Sequence, residues 1–458
     1  MTTAKPNVLL IMADQMRFDY VGYAGGDHVH TPHLDRLAAE GMVFTHCCSN
    51  SPVCAPARIG LATGMNPSRL GALSNAAYLP ARAPTYYQRL RDHGFRVGCV
   101  GKLDLAKPDN YNGRYGDRPL AYSWGFTHPE ECEGKIHAGR GNPPNGPYTN
   151  WLQEQGLLET FTRDYAERNR RGRHKAGATW DSPLPTEAFE DSYIGRRAAE
   201  WLEWVPNDFP WHYFVSFVGP HNPFDPPTEY ADRYRHADMP SPIVDPMDGK
   251  PASVEHNEPG SKAATPEEVL EAQRQYCGAI TLIDDAIGRI LDVLDRRGLR
   301  ENTYVLFTSD HGEMLYDHGL WCKNTFHEGA FRLPLLAAGP GIAPGRTDAL
   351  VELIDVNPTI CDLAGVGPEP DIDARSFAPI LRGQTDAIRT EVVGTLSRSQ
   401  CVRNHDYKLI FNANDVTELY DLRRDPQELS NIAEAHPELV QELARALRAR
   451  LLEGGCRR

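Results

Sequence analysis

Apolar positions along the chain follow two alternating patterns. Short unbroken apolar runs, Asn7-Val-Leu-Leu-Ile-Met-Ala13, His212-Tyr-Phe-Val-Ser-Phe-Val218 and Thr303-Tyr-Val-Leu-Phe-Thr-Ser309, have the length and composition of strands buried on both faces. Phe95-Arg-Val-Gly-Cys-Val100 reads as another strand. Helical patterns lie between them, over about 32–40, 85–93, 187–204 and 265–297, and a further helix starts near Cys54. Thr31-Pro32 reads as an N-cap with proline at the first helical position, and Gly41, Gly94 and Gly298 close three of these helices. Strands alternating with helices predict an α/β architecture.

Two stretches break the pattern. Residues 106–150, rich in Gly, Pro and Asn, predict mostly irregular chain, and the proline-rich 219–262 predicts a surface excursion near the functional site. Beyond about residue 385 the pattern becomes antiparallel: Thr390–Leu396 and Gln400–Phe411 are short strands around an Asn404-His405-Asp406 turn, and a last helix covers 436–453. The expected organisation is a catalytic α/β domain over 1–385 and a smaller C-terminal α+β subdomain over 386–458. There is no internal repeat and no low-complexity tract.

With 458 residues the chain can bury about 75% of its extended surface. A formal net charge of −14 argues against a nucleic-acid partner, yet leaves room for a local cationic pocket that binds a small anion. No run reaches about 18 apolar residues, so no membrane span is expected. The apolar run at 7–13 is short, has one basic residue ahead of it and runs into Asp14-Gln15 with no small-residue cleavage site, so it reads as a strand rather than a signal peptide. The expected location is therefore cytoplasmic, with the ten cysteines as reduced thiols and Cys47-Cys48 as small buried side chains.

Three of the predicted strands end in polar clusters: Asp14-Gln15, His221 and Asp310-His311. In open α/β sheets ligands gather at the carboxyl ends of strands. Two carboxylates, an amide oxygen and an imidazole suit a divalent cation, Ca²⁺ or Mg²⁺ by their oxygens and Mn²⁺ by the imidazole. The local alternative is that Asp14 caps a turn and Asp310 caps the helix after it. His28-Val-His30-Thr-Pro-His33 has metal-like spacing but reads as a helix start. The P-loop, Gly-x-Ser-x-Gly and His-Glu-x-x-His motifs are missing.

The run Cys54-Ala-Pro-Ala-Arg58, closed by Leu61-Ala-Thr-Gly64, resembles the signature of the type I sulfatases of the alkaline phosphatase superfamily. Further elements occur in the family's order: Asp14-Gln15, Gly101-Lys102-Leu-Asp104-Leu-Ala106, Pro220-His221-Asn-Pro-Phe224, Ser309-Asp310-His311-Gly312, Gly319-Leu-Trp-Cys-Lys323 and Glu418-Leu-Tyr-Asp421. The resemblance covers about residues 6–435. It implies an alkaline-phosphatase-like mixed sheet sandwiched by helices, and hydrolysis of sulfate esters by a formylglycine aldehyde hydrate made from Cys54 by a modifying enzyme. A divalent metal would be held by Asp14, Gln15, residue 54, Asp310 and His311, with Ca²⁺ named first and Mn²⁺ or Mg²⁺ as alternatives. Arg58, Lys102 and Lys323 would face the sulfate, and His221 would protonate the leaving group. Separately, the spacing of Asn75 from Cys54 places its amide as a candidate for the pocket. A homo-oligomer fits the family.

Three positions depart from the commonest pattern. Gln15 replaces a second acidic residue, and with His311 it looks like the phosphonate monoester hydrolases and choline sulfatases. A phosphonate monoester or phosphodiester hydrolase is therefore the alternative activity, and an unconverted, non-catalytic metal-binding protein the remote one. Asp104 stands where the family usually has histidine. An ionised carboxylate cannot donate to a sulfate oxygen, which leaves three roles for it: pairing with a cation, acting as a base, or binding a cationic part of the substrate. Tyr111, Tyr115, Tyr122, Trp124 and Phe224 are candidates to hold an aromatic or cationic group of the substrate or, equally, to pack the long loops.

Overall fold

The computed structural model describes residues 5–109, 111–172, 176–244, 251 and 264–453. Eight strands form the main sheet: β1 (Asn7–Asp14), β2 (Met42–Cys48), β3 (Arg96–Gly101), β4 (His128–Glu131), β5 (Trp211–Pro220), β6 (Thr303–Ser309), β7 (Arg332–Ala338) and β8 (Gly345–Glu352). Their order is β4-β3-β5-β1-β6-β7-β2-β8. The first five are mutually parallel, β7 runs antiparallel to both β6 and β2, and β2 pairs in parallel with β8. The carboxyl ends of β1, β3, β5 and β6 therefore lie on one edge.

The unbroken apolar character of β1 follows from its two buried faces. Leu9, Ile11 and Ala13 enter one core with Leu34, Ile194 and Ile287, whereas Val8, Leu10 and Met12 enter the other with Leu61, Leu90 and Ile360. Helices Pro32–Ala39, Glu190–Trp204 and Pro266–Arg296 thus cover one face, and Cys54–Thr63, Tyr86–Asp92 and Val356–Leu363 the other. Among the described residues no helix is long and apolar enough to cross a membrane.

Some expectations change. The segment 106–150 holds β4 and the short helices Pro119–Ser123, Lys135–Ala138 and the start of Pro147–Glu154. β4 has no apolar alternation and is held by its backbone ladder to β3. Thr31 does not cap its helix, because its hydroxyl donates to Asp35 and accepts the Gly22 N–H. The helix start is capped instead by Asp284, which accepts the N–H groups of His33 at 3.0 Å and Leu34 at 2.8 Å. The excursion at 219–262 includes 245–250 and 252–262, outside the described residues.

The C-terminal sheet, ordered β12-β11-β10-β9, is antiparallel throughout: β9 (Val392–Thr395), β10 (Ser399–Arg403), β11 (Tyr407–Asn412) and β12 (Glu418–Asp421). One of its faces packs on the helix Pro437–Glu453 through Leu443 and Leu447. The other shares a core of Cys48, Phe326, Phe331 and Leu350 with the main sheet. Lys408 of β11 pins this junction. Its buried ammonium donates to Phe326 O at 2.8 Å, Glu328 Oε1 at 2.7 Å and Glu428 Oε1 at 2.6 Å.

Burial opposes ionisation of Glu428, but Lys408 and His327 hold its carboxyl down to about 2. The stability it contributes is full above the unfolded value, 4.5, and is lost as pH falls through about 2. Glu428→Gln is expected to flatten the acid limb of the stability profile between those values. Urea denaturation at a series of pH values checks this, and an unchanged slope would remove Glu428 from the account.

Candidate active site

The site is assembled where β1, β3, β5 and β6 end. Asp14 closes β1 and is fully buried. The chain then turns through Gln15 in the left-handed region, with φ 67. Tyr276 secures this turn by donating to Gln15 O at 2.6 Å and accepting the Arg17 N–H at 2.9 Å. The Gln15 N–H is bonded to Asp310 Oδ1 at 3.1 Å, which joins the exits of β1 and β6. Asp310 also accepts the His311 N–H at 3.0 Å, so it orders the local backbone as well as facing the site.

Helix Cys54–Thr63 points its N-terminus into this space, and all ten of its residues are buried. No side chain caps it at Val53, but the Ala55 N–H is met by Asn75 Oδ1 at 3.1 Å. Asn75 thus supports the start of the helix and also lines the cavity. Cys54 Sγ lies 3.1 Å from His311 Nε2 and 3.9 Å from Asp14 Oδ1. One turn on, Arg58 bridges the two buried carboxylates, with Nε 2.7 Å from Asp310 Oδ2 and an Nη 3.1 Å from Asp14 Oδ2. Its other Nη donates to Lys102 O at 2.6 Å and Ser216 Oγ at 2.8 Å.

Lys102 follows Gly101, the last residue of β3. Gly101 has φ 98, and a Cβ there would lie 1.9 Å from Ser216 O, so only glycine lets β3 leave this close to β5. The Lys102 ammonium bonds Asp14 and lies 3.2 Å from Asp104 Oδ2. Lys107 bonds the same Asp104 oxygen. Of the three roles open to Asp104, the structure shows pairing with cations.

His221 follows β5. Its Nδ1–H donates to Asn222 O at 2.6 Å, leaving Nε2 to accept from Lys323 Nζ at 2.7 Å. Lys323 also bonds the Gln15 amide oxygen, and the Gln15 amide nitrogen donates to Glu313 and to Asn222. His221, Asn222 and Lys323 line, with Lys102 and Asp104, a cavity of about 560 Å³.

The charges act on one another. Burial alone would raise the Cys54 thiol, but Lys102, Lys107, Lys323 and His311 hold it well below its ordinary value. Burial would also raise Asp14, and the thiolate adds to that; Lys102 and Arg58 overcome both and keep it ionised. Burial and the adjacent Lys323 push His221 down to about 3, so it is a neutral acceptor here.

All the residues expected from sequence, Asp14, Gln15, Cys54, Arg58, Asn75, Lys102, Asp104, His221, Asp310, His311 and Lys323, lie in this one network. Asp14, Cys54, Asp310 and His311 bring their ligand atoms within 4.8 Å of one another, and all four are buried. Two carboxylates and an imidazole converging beside the Gln15 amide fit a divalent cation that accepts oxygen and nitrogen. The aromatic candidates do not take part. Tyr111, Tyr115 and Tyr122 are exposed, Trp124 is buried under Leu79, and Phe224 packs between Tyr276 and Trp321. His28 and His30 pack on Tyr20 and Tyr234. Sequence reasoning missed Ser216, Glu313 and Lys107. For Ser216 the available signal was a lone hydroxyl within an apolar strand.

A mixed sheet of this order, carrying a deep cationic pocket at its carboxyl edge, is the alkaline-phosphatase-like fold of enzymes that act on anionic esters. The chain belongs to the sulfatase family, whose model matches residues 6–366, and the C-terminal model of N-sulphoglucosamine sulphohydrolase matches residues 316–454. It is 31% identical to the choline-sulfatase of Rhizobium meliloti over 95% of this chain and 83% of that one. It is 28% identical to an arylsulfatase of Clostridium perfringens over 97% of this chain and 94% of that one. The phosphonate monoester hydrolase of Agrobacterium radiobacter superposes with a TM-score of 0.82 at 25% identity, covering 98% of this chain and 96% of that one. The protein is a sulfuric ester hydrolase, of a family characterised by a formylglycine and a divalent metal.

Proposed function

We propose that this sulfatase works through a formylglycine made from Cys54, with Arg58, Lys102, His221 and Lys323 around the reacting sulfur. The observation that carries this reading is the setting of Cys54: fully buried at a helix N-terminus, 3.1 Å from His311 Nε2, with Lys102, Lys107 and Lys323 close enough to lower its thiol against the effect of burial. Asp14, Gln15, Asp310, His311 and residue 54 would hold a divalent cation, Ca²⁺ first and Mn²⁺ or Mg²⁺ as alternatives. When bound, that ion would acidify the attacking hydroxyl and offset the charge of the sulfate.

One hydroxyl of the aldehyde hydrate attacks sulfur. The bond from sulfur to the alcohol oxygen breaks, and its electron pair leaves with that oxygen. Lys323 and His221 form a donor–acceptor pair at 2.7 Å, able to pass a proton to the departing alcohol. The second hydroxyl then returns a proton to the Lys323–His221 pair, the carbon–oxygen bond to sulfate breaks with its electron pair leaving on the sulfate, and the aldehyde is restored for rehydration. Arg58 and Lys102 set positive charge against the sulfate oxygens throughout.

Gln15 with His311 supports a second reading, in which phosphonate monoesters or phosphodiesters are the better substrates. Side-by-side kcat/KM values on an aryl sulfate, phenyl phosphonate and a phosphodiester separate the two, and a preference for the phosphorus esters would replace the first reading with the second. Mass spectrometry of the residue-54 peptide tests the nucleophile: the aldehyde is expected, and cysteine alone in active enzyme would overturn it. The nine described cysteines are all unpaired, which supports a reducing, cytoplasmic setting. The separate antiparallel sheet supports division near residue 385.

A further inference from the structure

Asp104 is buried, at 6% exposure, and one of its oxygens meets both Lys102 and Lys107. Lys102 is already engaged by Asp14 and aimed at the reacting centre. Lys107 is not needed there: it lines the cavity wall, and its side chain is 17% exposed. Four cations, Arg58, Lys102, Lys107 and Lys323, gather with three carboxylates, Asp14, Asp104 and Asp310, at this end of the site, and a further lining cation, Lys135, is paired with Asp225. The cavity lining adds hydrogen-bonding groups from Ser74, His137 and Ser397. Among the described residues its only rings are the imidazoles of His137 and His221, so no aromatic face waits for a cationic alcohol.

We propose that Lys107, clamped by Asp104, is a substrate-binding residue that takes a second anionic group on the alcohol, so that the enzyme prefers sulfate esters of acidic alcohols. The inference rests on the sulfatase reading and names its substrate class. A short carboxylate-bearing alcohol meets a fixed ammonium on the wall. A quaternary ammonium meets the same charge as repulsion, with no ring or unshared carboxylate to offset it.

The test uses the purified enzyme with three esters: 4-(sulfooxy)phenylacetate, its methyl ester, and choline O-sulfate. The first two differ in charge while their leaving oxygens are nearly matched. Wild type is expected to favour the acid over its methyl ester by about tenfold in kcat/KM, mostly through KM, with choline O-sulfate poorest. Lys107→Met should reduce the preference to within about twofold, and Lys107→Arg should keep most of it. Competitive inhibition of wild type by 4-hydroxyphenylacetate against its methyl ester reads the same preference without a variant.

Equal use of acid and ester by wild type, a preference that survives Lys107→Met, or choline O-sulfate as the best of the three would each overturn the proposal. Failure of the sulfatase reading is distinct: none of the three esters would then be cleaved, while phosphorus esters were.

Discussion

Cys54→Ala is expected to lose sulfate-ester hydrolysis by about 10⁴-fold or more, in the range seen when a covalent nucleophile is removed. The charged groups around it cannot replace it. Lys102 and Lys323 are ammoniums bonded to Asp14 and Gln15, and Asp14 and Asp310 are clamped by Arg58. The fold should survive, because the change removes one buried sulfur at a cost of about 1–2 kcal/mol. Melting temperature and kcat/KM on an aryl sulfate, measured on one preparation, separate the two effects. Activity within tenfold of wild type would sink the nucleophile assignment. Cys54→Ser left unconverted should accept sulfate once and stop, since serine has no second hydroxyl with which to expel it.

Arg58→Met should fail on both measures. Arg58 is 2% exposed and bonds two carboxylates that are fully buried. Breaking such a buried pair typically costs about 3–5 kcal/mol, because the partners remain charged and uncompensated. Loss of its charge near the sulfate should lower kcat/KM by a further 10²–10³-fold or thereabouts. Arg58→Lys should recover little, since one ammonium cannot span Asp14, Asp310, Lys102 O and Ser216 Oγ together. Urea unfolding with and without chelator gives the stability term, and the loss should be larger after chelation, when Arg58 and Lys102 are the remaining cations on Asp14. A variant as stable as wild type would show that the two carboxylates do not depend on Arg58.

The legible parts of the fold were those whose burial is written into residue type. β1, β5 and β6 are apolar on both faces and announce themselves, and the polar residues that end them gave Asp14, His221, Asp310 and His311. β4 was invisible because its Pro129 and two glutamates carry no strand pattern, and it exists through its pairing with β3. β2 mixes Thr45 and His46 with apolar residues and pairs with β7 and β8, from which it is separated by most of the chain. Partnerships were hidden for the same reason. Asp104 could be assigned three roles until Lys102 and Lys107 were seen on one oxygen, and the capping of helix Pro32–Ala39 by Asp284 spans about 250 positions. Local chemistry can be read along a chain, whereas the choice among its possible partners is made by topology.

The burial of Cys54 also sets a clock. Its bonded neighbour His311 lies 257 positions later in the chain, and β2, just ahead of it, has no partner until β7 and β8 are made. At about 5–20 residues per second, a ribosome needs roughly ten to fifty seconds to produce that intervening length. During this interval the Cys54 segment has emerged but cannot be enclosed. The folded enzyme shows no surface at this residue, so any chemistry that an outside catalyst performs on its sulfur belongs to the nascent chain.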